Sequence, residues 1–430
     1  MESHQKKRGS MEEEEVVDRL SSLPDDILHS ILRGLRLKHA ARTSALSRQW
    51  AHHWLRTLAA SCVVDFTDRD FARGQSPEHA AATVSRCLRL QAEHGPPLEA
   101  FRVALDGTLG AGAGAFARDV VGWVVAAVAR GAREVAVDLT PSTQGSRAQL
   151  DADEEVSATA FMELPRDLFL TETSLARLSL DQFSLRAVPA GAAGLAGLRS
   201  LSLSRADVTD ETIEAVLSTC RLLEFLSLSS CHLLTSVRIA GDNLRVLELV
   251  GCPAMRELRV NAPALESLAF HGNILCLDDS EDDDYAAAVD LGATPALRDA
   301  YLSHLGFATE DDVHDKEFAY ADFLTCVARA RTLTLCSIGL QHMWAHVGYD
   351  PTVNIDMTNV QELQLLMASL GDDDIEAVSS FFQLFEFPLL DRLFIRVNLD
   401  LSRSFNFMEK TFIKLLSLPL CFCPKSNSAN

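Results

Sequence analysis

The sequence has no apolar run long enough to cross a bilayer. Its longest notable one, Val120 to Ala129, has ten residues, and a spanning helix needs about 20. It has no excess of positive charge either. Lys and Arg number 39 against 60 Asp and Glu, a net charge of −21, which argues against nucleic-acid binding through bulk charge. The opening MESHQKKRGSMEEEE is polar and charged, without the apolar stretch of a secretory signal. The ten cysteines form no metal framework, since Cys421 and Cys423 lack a second pair. No phosphate-binding GxxxxGK[ST], zinc-binding HExxH or GxSxG elbow occurs. The glycines at 107–114 lie in an Ala-rich stretch rather than between a strand and a phosphate-binding helix. The expectation is a non-catalytic chain without cofactor or metal, with no nucleic-acid or membrane partner. It is placed in the cytosol or nucleus with its cysteines reduced.

What the sequence does have is a repeat. The unit L-x-x-L-x-L recurs as Leu175/Leu178/Leu180, Leu198/Leu201/Leu203, Leu223/Leu226/Leu228, Leu244/Leu247/Leu249 and Leu265/Leu268/Phe270. It continues as Leu297/Ala300/Leu302, Leu333/Leu335, Leu363/Leu365 and Leu390/Leu393/Ile395, with weaker early copies at Leu98/Phe101/Val103 and Val135/Val137. The middle Leu positions advance by 23, 25, 21 and 21 residues, then by 32, 33, 30 and 30. The short steps have the period of leucine-rich repeats, each contributing one strand to a parallel sheet on a concave face. The longer steps must carry loop or helix insertions. The ninth position of the unit holds Cys231, Cys252, Asn273 and Asn398, expected to turn inward and hydrogen-bond the bending backbone. The segment Thr209–Cys220 reads as a capped amphipathic helix on the convex side, and Asp119–Arg130 as another.

The second feature is residues 22–54. Ser22 is placed as a helix cap, Pro24 in the first turn, and Asp25 and Asp26 at the positive helix end. Ile27, Leu28, Ile31, Leu32 and Leu35 follow at helical spacing, Lys38–Arg48 reads as a second helix, and Trp50 and Trp54 share one face of a third. So short a segment cannot hide this much apolar surface alone. A partner is expected to cover the remainder. From Val16 to Thr57, seven Lys/Arg outnumber three Asp/Glu, so the segment is basic within an acidic chain.

The ordered run Leu23-Pro24, Asp25-Asp26, Arg42-Thr43-Ser44, Leu46-Ser47-Arg48, Trp50 and Trp54 resembles the F-box of plant F-box proteins. Together with Leu164-Pro165, Leu223-Glu224…Cys231, Ala262-Pro263 and Phe387-Pro388…Leu393, it resembles the plant F-box/leucine-rich-repeat family, with the start of an FBD region. The resemblance implies an α/β chain in which a short helical F-box precedes a leucine-rich-repeat solenoid. The expected layout is a disordered tail over 1–15, the F-box over 16–57, irregular first repeats and connecting helices over 58–170, and the solenoid over 171–400. Residues 401–430 are expected to be irregular or truncated.

The resemblance further implies a substrate-recognition subunit of a Skp–cullin–F-box ubiquitin ligase. The F-box would dock the Skp-type adapter, and through it cullin, by Leu23, Pro24, Ile27, Leu28, Ile31, Leu32, Leu46 and Trp50. The alternatives are an adapter-binding scaffold without cullin and a leucine-rich-repeat ligand sensor. The residues between the strand leucines are expected to line the concave face. Among them Tyr301, Arg392, Phe394 and Arg396 are the types enriched at interface hot spots, which places capture of a protein substrate toward the later repeats. The acidic clusters at Asp278–Asp284 and Glu310–Asp315 read as exposed loops.

Overall fold

The computed structural model describes residues 23–397, except 36, 49, 69–70, 72–75, 106–113, 141–160, 187, 190, 276–287, 293, 305–312, 338, 341–354 and 368–370. Several expectations lie outside these residues: the tail, the Ser22 cap, the glycine run up to residue 113, the acidic cluster 278–284, Asn398, the Cys421/Cys423 pair and the segment 401–430. The chain divides into two compact units, Met1–Val156 and Ser157–Asn430.

The first unit opens with three helices, α1 (Asp25–Arg33), α2 (Leu37–Arg42) and α3 (Trp50–Ala59). The expected second helix stops early, because Thr43–Ala45 tightens into a 3-10 turn. There Thr43 and Ser44 donate their hydroxyls back to the carbonyls of Ala40 and Ala41, competing with the helical ladder. Three parallel strands follow, Val63–Phe66, Ala100–Ala104 and Glu134–Asp138, joined by the helices Pro77–His94 and Gly114–Ala129. The weak repeat copies at Phe101/Val103 and Val135/Val137 are therefore strands, with all four side chains buried. Trp123 is buried on the second of these helices and donates its indole N–H to Ser85 Oγ of the first at 2.8 Å, pinning one helix to the other.

In the second unit, nine described strands run parallel in chain order from Arg177–Asp181 to Arg392–Val397. Their register sets Leu178, Leu201, Leu226, Leu247, Leu268, Ala300, Leu333, Leu363 and Leu393 side by side. The repeat positions seen in the sequence are thus one apolar ladder facing the core. Cys231 behaves as expected of the ninth position: it is fully buried and its thiol reaches the Ser229 carbonyl at 3.5 Å. Cys252 does the same toward Leu228 and Val250. Asn273 does not. It is exposed and donates to the Pro253 carbonyl at 3.3 Å, while Leu275 takes the interior place.

The length of a step limits what can fill the side opposite the sheet. Of the five steps of 25 or more residues, three carry a helix among the described residues: Asp210–Thr219, Val313–Val327 and Asp372–Leu384. The 21-residue steps are too short for one and instead carry a second strand. These strands, Ser236–Ala240 and Glu257–Asn261, pair in parallel with each other and with Val289–Asp290. Just past each of four consecutive strands the backbone turns through the left-handed region, at Gln182, Arg205, Ser230 and Gly251. Only the last of these is glycine, the residue that enters this region without steric cost.

Candidate functional site: an apolar helical face and the second face of the sheet

The helical segment 23–59 separates its apolar residues into two sets. Leu28, Leu32, Ala40 and Trp50 form a buried core, with Leu23 and Trp54 packed against it. Ile27, Ile31, Leu35 and Leu46 remain 39–56% exposed. Ile27, Ile31 and Leu35 succeed one another at intervals of four, so they line one side of α1 and its C-terminal turn. This corrects the sequence-based set. Leu28, Leu32 and Trp50 lie in the interior and hold the segment together, whereas Ile27, Ile31 and Leu46 face outward. Pro24 is exposed at the α1 N-cap, and Leu35, absent from that set, joins the outward face. The signal for the split was the adjacent pairs Ile27/Leu28 and Ile31/Leu32, because neighbours on a helix are about 100° apart and cannot both face the core.

Polar contacts lock α1 to α3 behind that face. Thr57 Oγ1 lies 2.6 Å from His29 Nδ1 and donates to the His53 carbonyl at 2.9 Å. His53 Nε2 and Arg56 both approach the Asp25 carboxylate, at 3.6 and 3.9 Å. Covering the four outward side chains would gain roughly 1 kcal/mol apiece, since each is already about half buried. That is a substantial gross contribution for so small a face.

On the sheet, the strand residues that alternate with the core ladder form a second face. One column runs Ser227, Glu248, Ala269, Tyr301, Thr334, Gln364 and Phe394 across seven adjacent strands. The sequence places these side chains outward, but the middle of the column is not open. Glu248 is 8% exposed, and Val250, Ala269, His271 and Ser303 are equally buried or more so. Tyr301 is half-buried and packs on Val250 and Ala269. Burial raises the Glu248 carboxyl to about 7, against a lowering hydrogen bond from Ser227. It lowers the His271 imidazole to about 4, so near pH 7 His271 is neutral and Glu248 is about half protonated.

The structure does not unite the four residues assigned to substrate. Tyr301 and Phe394 share a column but are separated by three strand intervals, about 14 Å at the usual spacing. Arg392, Phe394 and Arg396 sit together on the final described strand, all exposed. Arg392 also bridges to Glu362 at 3.1 Å. The accessible group is therefore this trio, and Tyr301 belongs to the covered middle of the face. The charge ladder at the strand entrances, Arg199 to Glu224 and Arg245 to Glu266 at 2.8 Å, is a register feature the repeat pattern alone did not reveal.

Comparison with known proteins now joins these two regions. Residues 20–57 match the F-box domain, and residues 149–319 match the leucine-rich repeats of the family described as "FBD-associated F-box protein At5g56370, LRR repeats". The chain carries an F-box and FBD-associated leucine-rich repeats. Its F-box is the three-helix segment with the outward apolar face, and the matched repeats include the strands from Arg177–Asp181 to Asp299–His304. The repeats continue structurally past that match, through three further strands ending at Val397.

Among its relatives, F-box protein At5g03100 of Arabidopsis thaliana is 30% identical over 55% of this chain and 64% of its own length. F-box/LRR-repeat protein At3g03360 of the same plant is 25% identical over 76% of this chain and 60% of its own length. F-box/LRR-repeat protein At5g02910 is 28% identical over 60% and 50%. The chain thus spans between half and two thirds of these relatives' lengths. F-box/leucine-rich-repeat families are generally non-catalytic adapters in protein interaction of the ubiquitin-ligase type.

Proposed function

We propose that this chain is the substrate-recognition subunit of a Skp–cullin–F-box ubiquitin ligase. Its F-box docks a Skp-type adapter, and its repeats hold the protein to be modified. The observation that carries the reading is the outward set Ile27, Ile31, Leu35 and Leu46, lying within the F-box match. An apolar helical face of this kind is suited to a partner helix. The excess of basic residues around it favours an acidic partner. The chain's role is proximity: it raises the effective concentration of the bound protein beside the conjugating machinery. On the repeats, the exposed Arg392, Phe394 and Arg396 are the surface proposed to meet the substrate.

The test is affinity capture of the tagged full chain beside an Ile27→Asp/Ile31→Asp variant. The expected result is adapter and cullin with the wild type and neither with the variant. Adapter without cullin in the wild-type capture would replace this reading with that of a scaffold, and absence of both would overturn it.

A further inference from the structure

The chain carries its positive charge almost wholly on arginine. Of its 39 basic residues, 32 are Arg and seven are Lys. Five of those lysines, Lys6, Lys7, Lys410, Lys414 and Lys425, lie before residue 8 or after residue 409. Residues 8–409 hold every arginine but only two lysines, Lys38 in the F-box and Lys316 in the repeats. Between those two lysines there are 23 arginines from residue 39 to residue 315 and no lysine.

Part of this choice has a structural cause. Arg102 sets two N–H groups on the Glu134 carboxylate, Arg205 two on Asp181 and Arg245 two on Glu266. A planar guanidinium makes such forked pairs, and an ammonium does not. Arg89, Arg133, Arg166, Arg221 and Arg331 have no such cause. They are exposed, and among the described residues their side chains make no hydrogen bond or ion pair. At such positions lysine would serve fold and solubility as well, since the two residues have similar helix propensity and the same charge. What lysine would add there is a nucleophile.

A deprotonated lysine ε-amine attacks the thioester carbonyl that joins ubiquitin to a conjugating enzyme. A C–N isopeptide bond forms, the C–S bond breaks, the sulfur leaves as the enzyme's thiolate, and the amine gives up a proton. Arginine stays protonated and cannot take this part. A receptor held beside that thioester presents its own surface at the same raised effective concentration as the protein it holds. We propose that arginine in place of lysine spares residues 8–409 from ubiquitination by the chain's own ligase, so that ubiquitin is delivered to the bound protein rather than to the F-box and repeats. The inference rests on the ligase reading above and adds to it a reason for the composition of the exposed surface. Within residues 8–409 it leaves Lys38 and Lys316 as the acceptors.

The test compares full-length chains assembled with Skp-type adapter and cullin and supplied with ubiquitin and its activating and conjugating enzymes. One is the wild type. A second carries Arg89→Lys, Arg133→Lys, Arg166→Lys, Arg221→Lys and Arg331→Lys, and a third carries Gln at the same positions. Lysine substitution raises the acceptors within residues 8–409 from two to seven. Ubiquitin on this stretch, located by mass spectrometry, is therefore expected to rise about threefold and to sit on the new lysines. The Gln variant is expected to stay at the wild-type level, and all the chains to unfold at the same temperature. New lysines left unmodified by complexes that discharge ubiquitin onto free lysine would overturn the inference while the ligase reading stands. A Gln variant modified as heavily as the Lys variant would also overturn it. Adapter or cullin missing from the wild-type complex, or a complex that discharges no ubiquitin, would instead remove the ligase reading and this inference with it.

Discussion

Glu248 and His271 lie on neighbouring strands of the sheet's second face, and both resist charging. For Glu248 the folded pKa of about 7 stands above the ordinary glutamate value of 4.5. The folded form therefore holds its proton more tightly than the unfolded chain does. Stability is lost as pH rises between those two values, and the loss is complete above about 7. Glu248→Gln is expected to be more stable than the wild type at pH 8, by up to about 3 kcal/mol, and equal to it below pH 4.5. Urea unfolding at both pH values measures this; a pH-independent difference would contradict it. His271 works at the other end. Its folded pKa of about 4 lies below the ordinary histidine value of 6.5, so its contribution to stability is lost as pH falls through that interval. The sequence shows which face of the sheet these residues occupy, because strand alternation fixes that. It does not show their burial, which depends on what surrounds them in three dimensions. The same limit applies to the F-box, where Ile27 and Leu28 are chemically alike and only packing separates contact surface from core. Leu28→Ala is expected to cost about 2–5 kcal/mol of the F-box's stability. Ile31→Asp, on the outward face, is expected to leave its thermal unfolding nearly unchanged. Circular dichroism melts of the two variants distinguish these outcomes.

Among the elements, the strands of the leucine ladder were legible because each is marked by two or three large apolar residues at fixed spacing. The second strands Ser236–Ala240 and Glu257–Asn261 were not. Each carries only one alternating pair, Val237/Ile239 and Leu258/Val260, and five residues of that kind read as a turn unless the 21-residue offset between them is noticed. One residue ties the helical kind of repeat to the stranded kind. The Asp210 carboxylate, in the first turn of its helix, accepts from the Thr235 and Ser236 amides and from the Thr235 hydroxyl at 2.7–3.3 Å. Its removal leaves those donors to water alone and also takes a favourable charge from the helix N-terminus. Asp210→Ala is expected to cost about 2 kcal/mol, with amide exchange accelerating first in Ser236–Ala240. Uniform acceleration across the repeats would show that Asp210 is not a local tie.

At the scale of the whole molecule, two kinds of surface carry the functional reading. The F-box offers a small apolar face on a segment whose polar locks, Asp25 to His53 and Arg56 and His29 to Thr57, hold α1 against α3. The repeats offer a sheet whose middle is covered and whose last described strand exposes Arg392, Phe394 and Arg396. Both surfaces are of the kind that meets another protein. The assignment to a ligase rests most heavily on the F-box face, and direct binding examines that face without needing the substrate. Purified Skp-type adapter would be titrated calorimetrically onto the full chain and onto an Ile31→Asp/Leu46→Asp variant. The expected result is one adapter per chain with a negative heat-capacity change, as apolar burial requires. The variant is expected to bind about a hundredfold more weakly, a loss of roughly 2.7 kcal/mol. Equal binding by both forms would remove the exposed apolar face from the interface, and no binding by the wild type would contradict the assignment itself.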